Sequence, residues 1–397
     1  MSDTVPGPAT QATAAKALSR PYTPTAAASL VQTWGKPASR LSRYSPRHSS
    51  AAGEKRGVRT YHWKLPAMTA AAHLQDQTGH KAEPRASVAH PPSASWPPLL
   101  DVLGPARSRR VFHRYKYQLL KLLTTPERQR LLQVLNRHPA WNHLLDVDRR
   151  SFYVFYRRYL DRRYTLRQRF QAMITDLEVA AVAFGPDVAH TLAHGHSVRL
   201  CHSPLFSIDL TINGPTRIEG YWALTLNSAD AVPLFNLSFG FTGPRSVLIA
   251  SLQGLKRPDG TNREVIRSLT KECHGLRPHA LLLEAFRMAC QYWGLQQLHG
   301  IDAAQQVTQY KKKADEFSFD YRAFWQESGA THHPDSHWHL PLEARRRGAD
   351  QVPPHKRATY RKRYALLDTL PAPLNHALGN PGAHPGAPSS IHHLQPV

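Results

Sequence analysis

Apolar residues recur along the chain with two different periods. Between residues 165 and 184 they return at three- and four-residue steps, which predicts a long amphipathic helix. A break at Gly185, Pro186 and Asp187 precedes a short helix that ends at His194. The apolar positions of the long helix are Phe170, Met173, Ile174, Leu177 and Ala181.

The period then falls to two. Residues 206–210 alternate apolar with polar side chains, and residues 213–215 (NGP) form a turn signal. The segments 219–226, 232–241 and 246–252 also have strand character and are joined by short turns. Four consecutive strands with short connections predict an antiparallel meander.

Helical signals return after the fourth predicted strand. A helix over residues 262–274 is predicted to end at Gly275, because glycine tolerates a left-handed backbone. Arg277 and Pro278 start the next helix. Residues 297–301 are predicted to form a fifth strand that inserts beside the fourth.

These elements predict an α+β fold with N-terminal helices, a mostly antiparallel sheet and helices packed against it. Residues 107–170 are predicted to be helical, and the folded domain is expected to span residues 104–370. Residues 1–103 and 371–397 are rich in Pro, Ala and Ser and lack periodicity. Both are predicted to be disordered, because their apolar content would not offset the entropy of ordering.

The chain has 51 Lys and Arg residues against 28 acidic ones, a formal charge of +23. Residues 104–170 alone contain 17 basic and 4 acidic residues. Such a surplus predicts an anionic partner: nucleic acid, acidic lipid or a phosphorylated small molecule. The candidate anion-binding residues are Arg157, Arg158, Arg162 and Arg163 in one cluster and Lys356, Arg357 and Arg361 in another.

Aromatic residues alternate with the arginines of the first cluster in the run SFYVFYRRYLDRRY. Cations beside stacking rings suit nucleic acid, and cations beside interfacial aromatics suit an anionic membrane surface. The alternative is a helix whose aromatic residues are core and whose arginines are solvated. The sequence leaves all three open.

Three cysteines, Cys201, Cys273 and Cys290, have neither the number nor the spacing of a disulfide framework or a metal site. No signal-peptide pattern follows Met1, and no apolar run approaches the roughly 20 residues of a membrane helix. We therefore expect a cytoplasmic protein without a membrane span, at most peripheral to the inner membrane. The oligomeric state stays open.

A histidine-rich run, THHPDSHWH, has spacing that permits metal binding. The chain contains 24 histidines, and the run has no Cys or Glu, so chance is the better explanation. No metal site is predicted. The histidines are His332, His333, His337 and His339.

Several short motifs occur in order through the predicted domain. They are EG at 219–220, LSFGF at 237–241, LQG at 252–254, LTK at 269–271, HGLRP at 274–278, DYRAFW at 320–325 and KRATYRKRYALLD at 356–368. On these motifs the chain resembles the VirK/YbjX family of bacterial proteins over about residues 105–370. The resemblance implies links to virulence, cell-surface protein localisation, antimicrobial-peptide resistance and stress response, loosely including DNA damage. It implies no established reaction and no catalytic residues.

The order of elements also resembles acyl-CoA N-acyltransferases of the GNAT type. In those enzymes a glycine-rich turn before a helix offers N–H groups to the cofactor pyrophosphate. A coenzyme A thioester is therefore the hypothetical cofactor, with Gln253, Gly254, His274, Gly275 and Arg277 as candidate binding residues. An extra helix and a single glycine depart from that pattern. The alternative is a helix-to-helix turn that requires glycine.

Three residues are candidates for catalysis. Glu219 is predicted at the start of a strand, where it would act as a general base towards an amine. Asp320 and Tyr321 would supply an acid. The alternative for each is a solvated or structural role. Two functions thus remain: an acyltransferase, and a non-catalytic factor that binds an anionic membrane surface or nucleic acid.

Overall fold

One mixed sheet forms the centre of the described part of the chain. The computed structural model describes residues 93–147, 149, 151–152, 157–214, 217–255, 262–308, 319–332 and 337–379. The described strands are β1 (Val198–His202), β2 (Phe206–Ile212), β3 (Trp222–Ser228), β4 (Pro233–Gly243), β5 (Ser246–Gly254), β6 (Gln297–Gly300), β7 (Thr331–His332) and β8 (Trp338–Leu340). Their order across the sheet is β1-β2-β3-β4-β5-β6-β8-β7.

The helices lie before, between and after these strands. They are α1 (Leu99–Leu103), α2 (Pro105–Ser108), α3 (Val111–Leu123), α4 (Thr125–Arg137), α5 (Pro139–Val147), α6 (Leu166–Ala193), α7 (Asn262–Glu272), α8 (Pro278–Tyr292), α9 (Tyr321–Glu327), α10 (Arg357–Asp368) and α11 (Pro371–Leu378). All belong to one compact unit, residues 85–397, and the chain's other unit, residues 1–84, lies outside the described residues. The predicted α+β class with a mostly antiparallel sheet is confirmed.

The predicted meander is formed by β2, β3, β4 and β5, each antiparallel to the next. β1 extends it by pairing with β2, and this strand was not predicted. Its five residues include Arg199 and His202, and a register shift interrupts the pairing, so no clear alternation marks it in the sequence. The predicted fifth strand is β6, which lies beside β5 as expected; the two strands pair in parallel. β8 and β7 then complete this edge.

α6 confirms the strongest helical pattern. The side chain of Thr165 accepts from the Gln168 amide, and the side chain of Gln168 reaches back to the Thr165 amide, so the helix begins with a capping box. The predicted break appears as a kink at Gly185, whose φ is 69°. The apolar stripe of α6 is buried, and Phe184 contacts Trp222 of the sheet.

The prediction that residues 107–170 are helical is wrong between residues 157 and 164. Tyr159 and Asp161 form an isolated bridge, and Leu160 has a φ of 52°. Tyr159 and Leu160 are fully buried, whereas Arg158 before them and Arg162 after them are exposed. Tertiary burial of two consecutive residues therefore overrides the helical pattern. Residues 148, 150 and 153–156 lie outside the described residues.

The ordered fold extends beyond both predicted limits. α1 precedes residue 104 and buries Val102 and Leu103. α11 follows residue 370, buries Leu374 and Leu378, and packs against β1. The predicted disorder was therefore wrong for these two helices, because each supplies apolar residues to the core. Residues 1–92 and 380–397 lie outside the described residues.

Candidate functional site

Five polar residues form one row across five neighbouring strands. Direct cross-strand partners link Arg199 to Asp209, Asp209 to Thr225, Thr225 to Asn236, and Asn236 to Gln253. Directly opposed residues place their side chains on the same face of a sheet. The row therefore runs from β1 to β5 along one face.

This polar face lies opposite the apolar face that packs on α8. The Phe239 ring contacts the Phe286 ring of α8, with 4.7 Å between centroids. Because successive side chains alternate, Asn236 and Ser238 point to the other face. The hydroxyls of Ser238 and Ser251 lie 2.6 Å apart and form a polar pair beside this row.

Hydrogen bonds join two neighbouring pairs within the row, and another joins its last member to Glu219. Arg199 Nε donates to Asp209 at 3.0 Å, and Thr225 Oγ1 donates to Asn236 Oδ1 at 3.0 Å. Gln253 Nε2 donates to Glu219 Oε2 at 2.7 Å. The structure thus brings together Glu219 and Gln253, two of the predicted site residues. The polar row itself was missed, although its signal was the polar half of the alternation in four strands.

Glu219 does not begin a strand, which corrects the prediction. It ends a short 3-10 helix, Arg217–Glu219, ahead of β3. Its carboxylate is fully buried and also accepts from the Thr308 hydroxyl. Gly220 follows with a φ of 111°, and a Cβ there would collide with the Phe239 carbonyl. This close approach fixes Gly220 against β4 and so positions the preceding Glu219, whose carboxylate meets Gln253 of β5.

Asp320 and Tyr321 both have structural contacts. The Asp320 carboxylate caps α9 by accepting from the Ala323 amide at 3.0 Å. The Tyr321 hydroxyl is buried, accepts from the Leu252 amide and donates to the Leu252 carbonyl, both at 3.0 Å. Gln306 Nε2 also donates to this hydroxyl, at 2.9 Å. Burial raises the Tyr321 pKa.

These contacts occupy the space where β5 extends past β6. β6 pairs only with Ser246–Ile249, whereas β5 continues to Gly254. Gln306 Nε2 donates to the Ala250 carbonyl at 3.3 Å. Ala250 lies two residues before Leu252, which Tyr321 contacts. The edge of β5 is therefore filled by side chains at this point.

The HGLRP turn joins α7 to α8. His274 and Gly275 have φ values of 54° and 76°, so the turn uses the left-handed backbone that the alternative reading required. Arg277 is exposed and precedes the first residue of α8. Arg363 of α10 donates from Nε and Nη2 to the His274 carbonyl at 3.2 and 3.0 Å. α10 is thereby fixed to the turn.

One arginine of the first basic cluster, Arg163, is paired with a carboxylate. Arg163 forms an ion pair with the buried Asp161, with Nη2 2.7 Å from Oδ2. His337 Nε2 lies 3.2 Å from the same oxygen. Burial would raise the Asp161 pKa, but the hydrogen bonds from His337 and Arg163 outweigh it and lower this pKa to about 2. Arg158 and Arg162 are exposed, and Arg157 is half-buried.

The second basic cluster lies on α10 and immediately before it. Lys356, Arg357 and Arg361 are all exposed. Arg357 Nε donates to the Val352 carbonyl at 3.1 Å, which leaves the rest of its guanidinium towards solvent. Through Arg363, this cluster is connected to the HGLRP turn.

α3 carries an exposed apolar surface that the sequence analysis missed. Its signal was present, because Phe112, Tyr115, Leu119 and Leu122 recur at three- and four-residue steps. All four are more than half exposed. Periodicity identifies an apolar face, but it does not tell whether the fold covers that face.

Two histidines of the histidine-rich run each contact one residue from elsewhere in the chain. His332 Nε2 lies 3.4 Å from Asp302, and the rings of His299 and His339 pack with centroids 4.5 Å apart. Among the described residues, no group of three or more His, Cys, Asp or Glu side chains is arranged to hold a metal. His333 lies outside them. In the same described portion, no helix has the length and apolar character to cross a bilayer.

The profile of a family described as "Protein of unknown function (DUF535)" matches residues 106–376. The chain belongs to the DUF535 family. The match covers the sheet, both basic clusters, the HGLRP turn and nearly all the described helices. No solved structure shows a significant match, so the GNAT resemblance stays a prediction.

Relatives of this DUF535 protein are bacterial. An uncharacterized protein of Haemophilus influenzae is 31% identical over 291 residues, covering 72% of this chain and 96% of the relative. "Uncharacterized protein YbjX" of Escherichia coli is 29% identical over 171 residues, 42% of this chain and 51% of YbjX. "Membrane protein LapB" of Mannheimia haemolytica is 29% identical over 220 residues, 51% of this chain and 90% of LapB. The VirK/YbjX resemblance is thereby confirmed.

Several motif residues in this DUF535 chain mark positions of close packing. A Cβ at Gly240 would lie within 3.0 Å of the Leu160 side chain. Trp325 Nε1 donates to the Ile301 carbonyl at 2.9 Å. Close packing therefore accounts for these two motif residues.

Proposed function

We propose that the protein is a non-catalytic factor that binds a phosphate-bearing anionic surface, and that this surface is a membrane. The observation that carries the proposal is the charge of α2 and α3 with the residues between them. Residues 104–126 contain no Asp or Glu. Five of their basic residues are exposed, and Lys121 is half-buried. The six are Arg107, Arg109, Arg110, Arg114, Lys116 and Lys121.

Basic residues in a segment whose sequence lacks Asp and Glu attract phosphate groups through a potential that salt screens. The clusters at Arg158 and Arg162 and at Lys356 and Arg361 add to this potential. A relative named "Membrane protein LapB" favours a bilayer over nucleic acid as the partner. Such a factor would act at the inner face of the envelope, in the virulence and stress settings that the family resemblance implied.

Salt-dependent binding tests this proposal. The full-length protein would be mixed with vesicles containing phosphatidylglycerol, with neutral phosphatidylcholine vesicles and with duplex DNA, over a range of NaCl concentrations. We expect strong binding to the anionic vesicles that weakens as salt rises, and weaker binding to the neutral ones. Absence of binding at low salt, or binding that salt does not change, would refute the proposal. Stronger binding to DNA than to vesicles would refute the choice of membrane.

An acyl-CoA transferase is the second candidate. The observation that favours it is the contact between Glu219 and Gln253 beneath the end of β5. In this reading Glu219 is the base, Asp320 or Tyr321 the acid, and Arg277 a phosphate ligand at the start of α8. The filled edge of β5 weighs against it, because the GNAT resemblance requires room for a cofactor there.

Calorimetry with coenzyme A and acetyl-CoA would decide this second candidate. Binding that Arg277→Ala weakens would support it, with Arg322→Ala as a charge-matched control on α9. A wild-type protein with no binding signal and no thermal shift would exclude these two cofactors.

A further inference from the structure

One continuous face of α3 consists of large apolar side chains that are exposed. At 3.6 residues per turn, these six residues occupy one arc roughly 120° wide. Their exposed fractions range from 57% to 74%. They are Val111, Phe112, Tyr115, Leu119, Leu122 and Leu123. We call this set the α3 apolar arc.

The opposite side of α3 fixes the helix to the fold. Tyr117 is buried, and its hydroxyl accepts from Trp96 Nε1 at 2.9 Å. Leu120 packs against the core, and the Thr124 hydroxyl at the end of the helix donates to the Leu120 carbonyl. The helix is therefore anchored on one side while its arc faces outward. An amphipathic helix on the surface of a globular protein typically turns its apolar face towards the core. The apolar arc of α3 faces away from the core instead.

Basic residues flank the arc. In the same helical geometry, Lys116 borders one edge, and Arg114 and Lys121 lie beyond the other edge, past Gln118. Arg110 precedes the first turn. Apolar side chains between cations are typical of helices that lie in the plane of an anionic bilayer surface.

We propose that α3 docks on an anionic lipid bilayer and inserts the α3 apolar arc at the boundary between headgroups and acyl chains. This rests on the proposed function and deepens it, since charge alone would hold the protein above the headgroups. Charge also decides against a second copy of this chain as the occupant. Two such faces in contact would bring like charges together from a segment that has no acidic residue to pair with them.

The decisive variant removes apolar surface without changing charge. Phe112→Ser combined with Leu122→Ser alters two residues that are each 73% exposed, so the fold should be retained. The matched control is Val147→Ser combined with Val182→Ser, which alters exposed apolar residues on α5 and α6. Both variants would be compared with wild type by flotation with phosphatidylglycerol-containing vesicles and by binding to heparin.

We expect the α3 variant to lose vesicle partitioning by about tenfold or more, because two large side chains no longer leave water. Its heparin binding and the control's vesicle binding should match wild type. Wild-type vesicle binding by the α3 variant would overturn insertion while leaving the proposed function intact. A wild-type protein that binds neither vesicles nor heparin would instead refute the proposed function.

A second measurement reports depth and self-association. Leu119→Cys would carry an environment-sensitive dye, since the native Cys201, Cys273 and Cys290 are all buried. A blue shift of the dye on anionic vesicles, absent for Val147→Cys, supports insertion. An unshifted spectrum overturns it. Light scattering provides a further check on the wild-type protein and the α3 variant. A dimer of the wild type that the α3 variant does not form would also overturn insertion, because a second copy would then cover the arc.

Discussion

Asp176 is a buried carboxylate whose replacement gives a sharp test of the core. It lies on α6 and is fully buried. Its oxygens accept from Tyr159 Oη at 2.5 Å, from Trp222 Nε1 at 2.9 Å and from the Phe241 amide at 2.7 Å. One side chain thus connects the helix, two strands and the residue 157–164 segment. We consider the change Asp176→Asn, which keeps the shape and an acceptor oxygen.

The expected change in the free energy of unfolding follows from the pKa of this carboxyl. Burial raises the Asp176 pKa from its ordinary 3.8 to about 7, although its three hydrogen bonds oppose the shift. The folded protein therefore binds a proton more tightly than the unfolded chain does. The contribution of Asp176 to stability is therefore greatest below about pH 4 and falls as the pH rises towards 7. At about 1.4 kcal/mol per pKa unit, this group costs roughly 4 kcal/mol once it is ionised.

Urea unfolding followed by tryptophan fluorescence would measure this cost. The free energy of unfolding would be determined for wild type and Asp176→Asn between about pH 4 and pH 8. We expect wild type to lose stability relative to the variant by up to roughly 4 kcal/mol over that range. Groups common to both proteins cancel in the difference. A difference that stays constant with pH, or that moves in favour of wild type, would refute the reasoning.

Three further substitutions, the first paired with a glycine control, test individual contacts by the same unfolding assay. Gly220→Ala should cost several kcal/mol of stability, and the control Gly195→Ala only about 1 kcal/mol. Both glycines have positive φ, but only at Gly220 would the added Cβ collide with a carbonyl. Equal costs would contradict this explanation. Tyr321→Phe should cost about 1–3 kcal/mol by leaving the Leu252 amide without its acceptor, and an unchanged midpoint would argue against that contact. Asp161→Asn should cost about 2 kcal/mol at neutral pH; this cost should vanish as the pH falls from about 4 to about 2, and its persistence there would exclude the ion pair as the cause.

Sequence alone predicted the sheet well where one face is apolar throughout. Phe206, Ile208 and Leu210 alternate with polar residues, and the turn signal at residues 213–215 separates them from the next strand. Such a pattern leaves little choice of period or register. β1 escaped notice because its five residues contain a register shift.

Other features depend on distant contacts that no local pattern reports. Tyr159 leaves the helical pattern because its hydroxyl meets Asp176, which is 17 residues away. The hydrogen bond between Glu219 and Gln253 joins two residues that lie 34 positions apart in the sequence. Tyr321 is buried and the α3 apolar arc is exposed because of the whole fold. Periodicity along the sequence does not tell a buried side chain from an exposed one.

The contact of Tyr321 with β5 also bears on how the backbone at a strand edge is covered. An uncovered strand edge offers its amide and carbonyl groups to a strand of another chain. Past Ile249, β5 would present such an edge, because β6 ends there. The hydroxyl of Tyr321 occupies both groups of Leu252, and Gln306 takes the carbonyl of Ala250. Two side chains therefore cap backbone groups of β5 that an added strand would otherwise use.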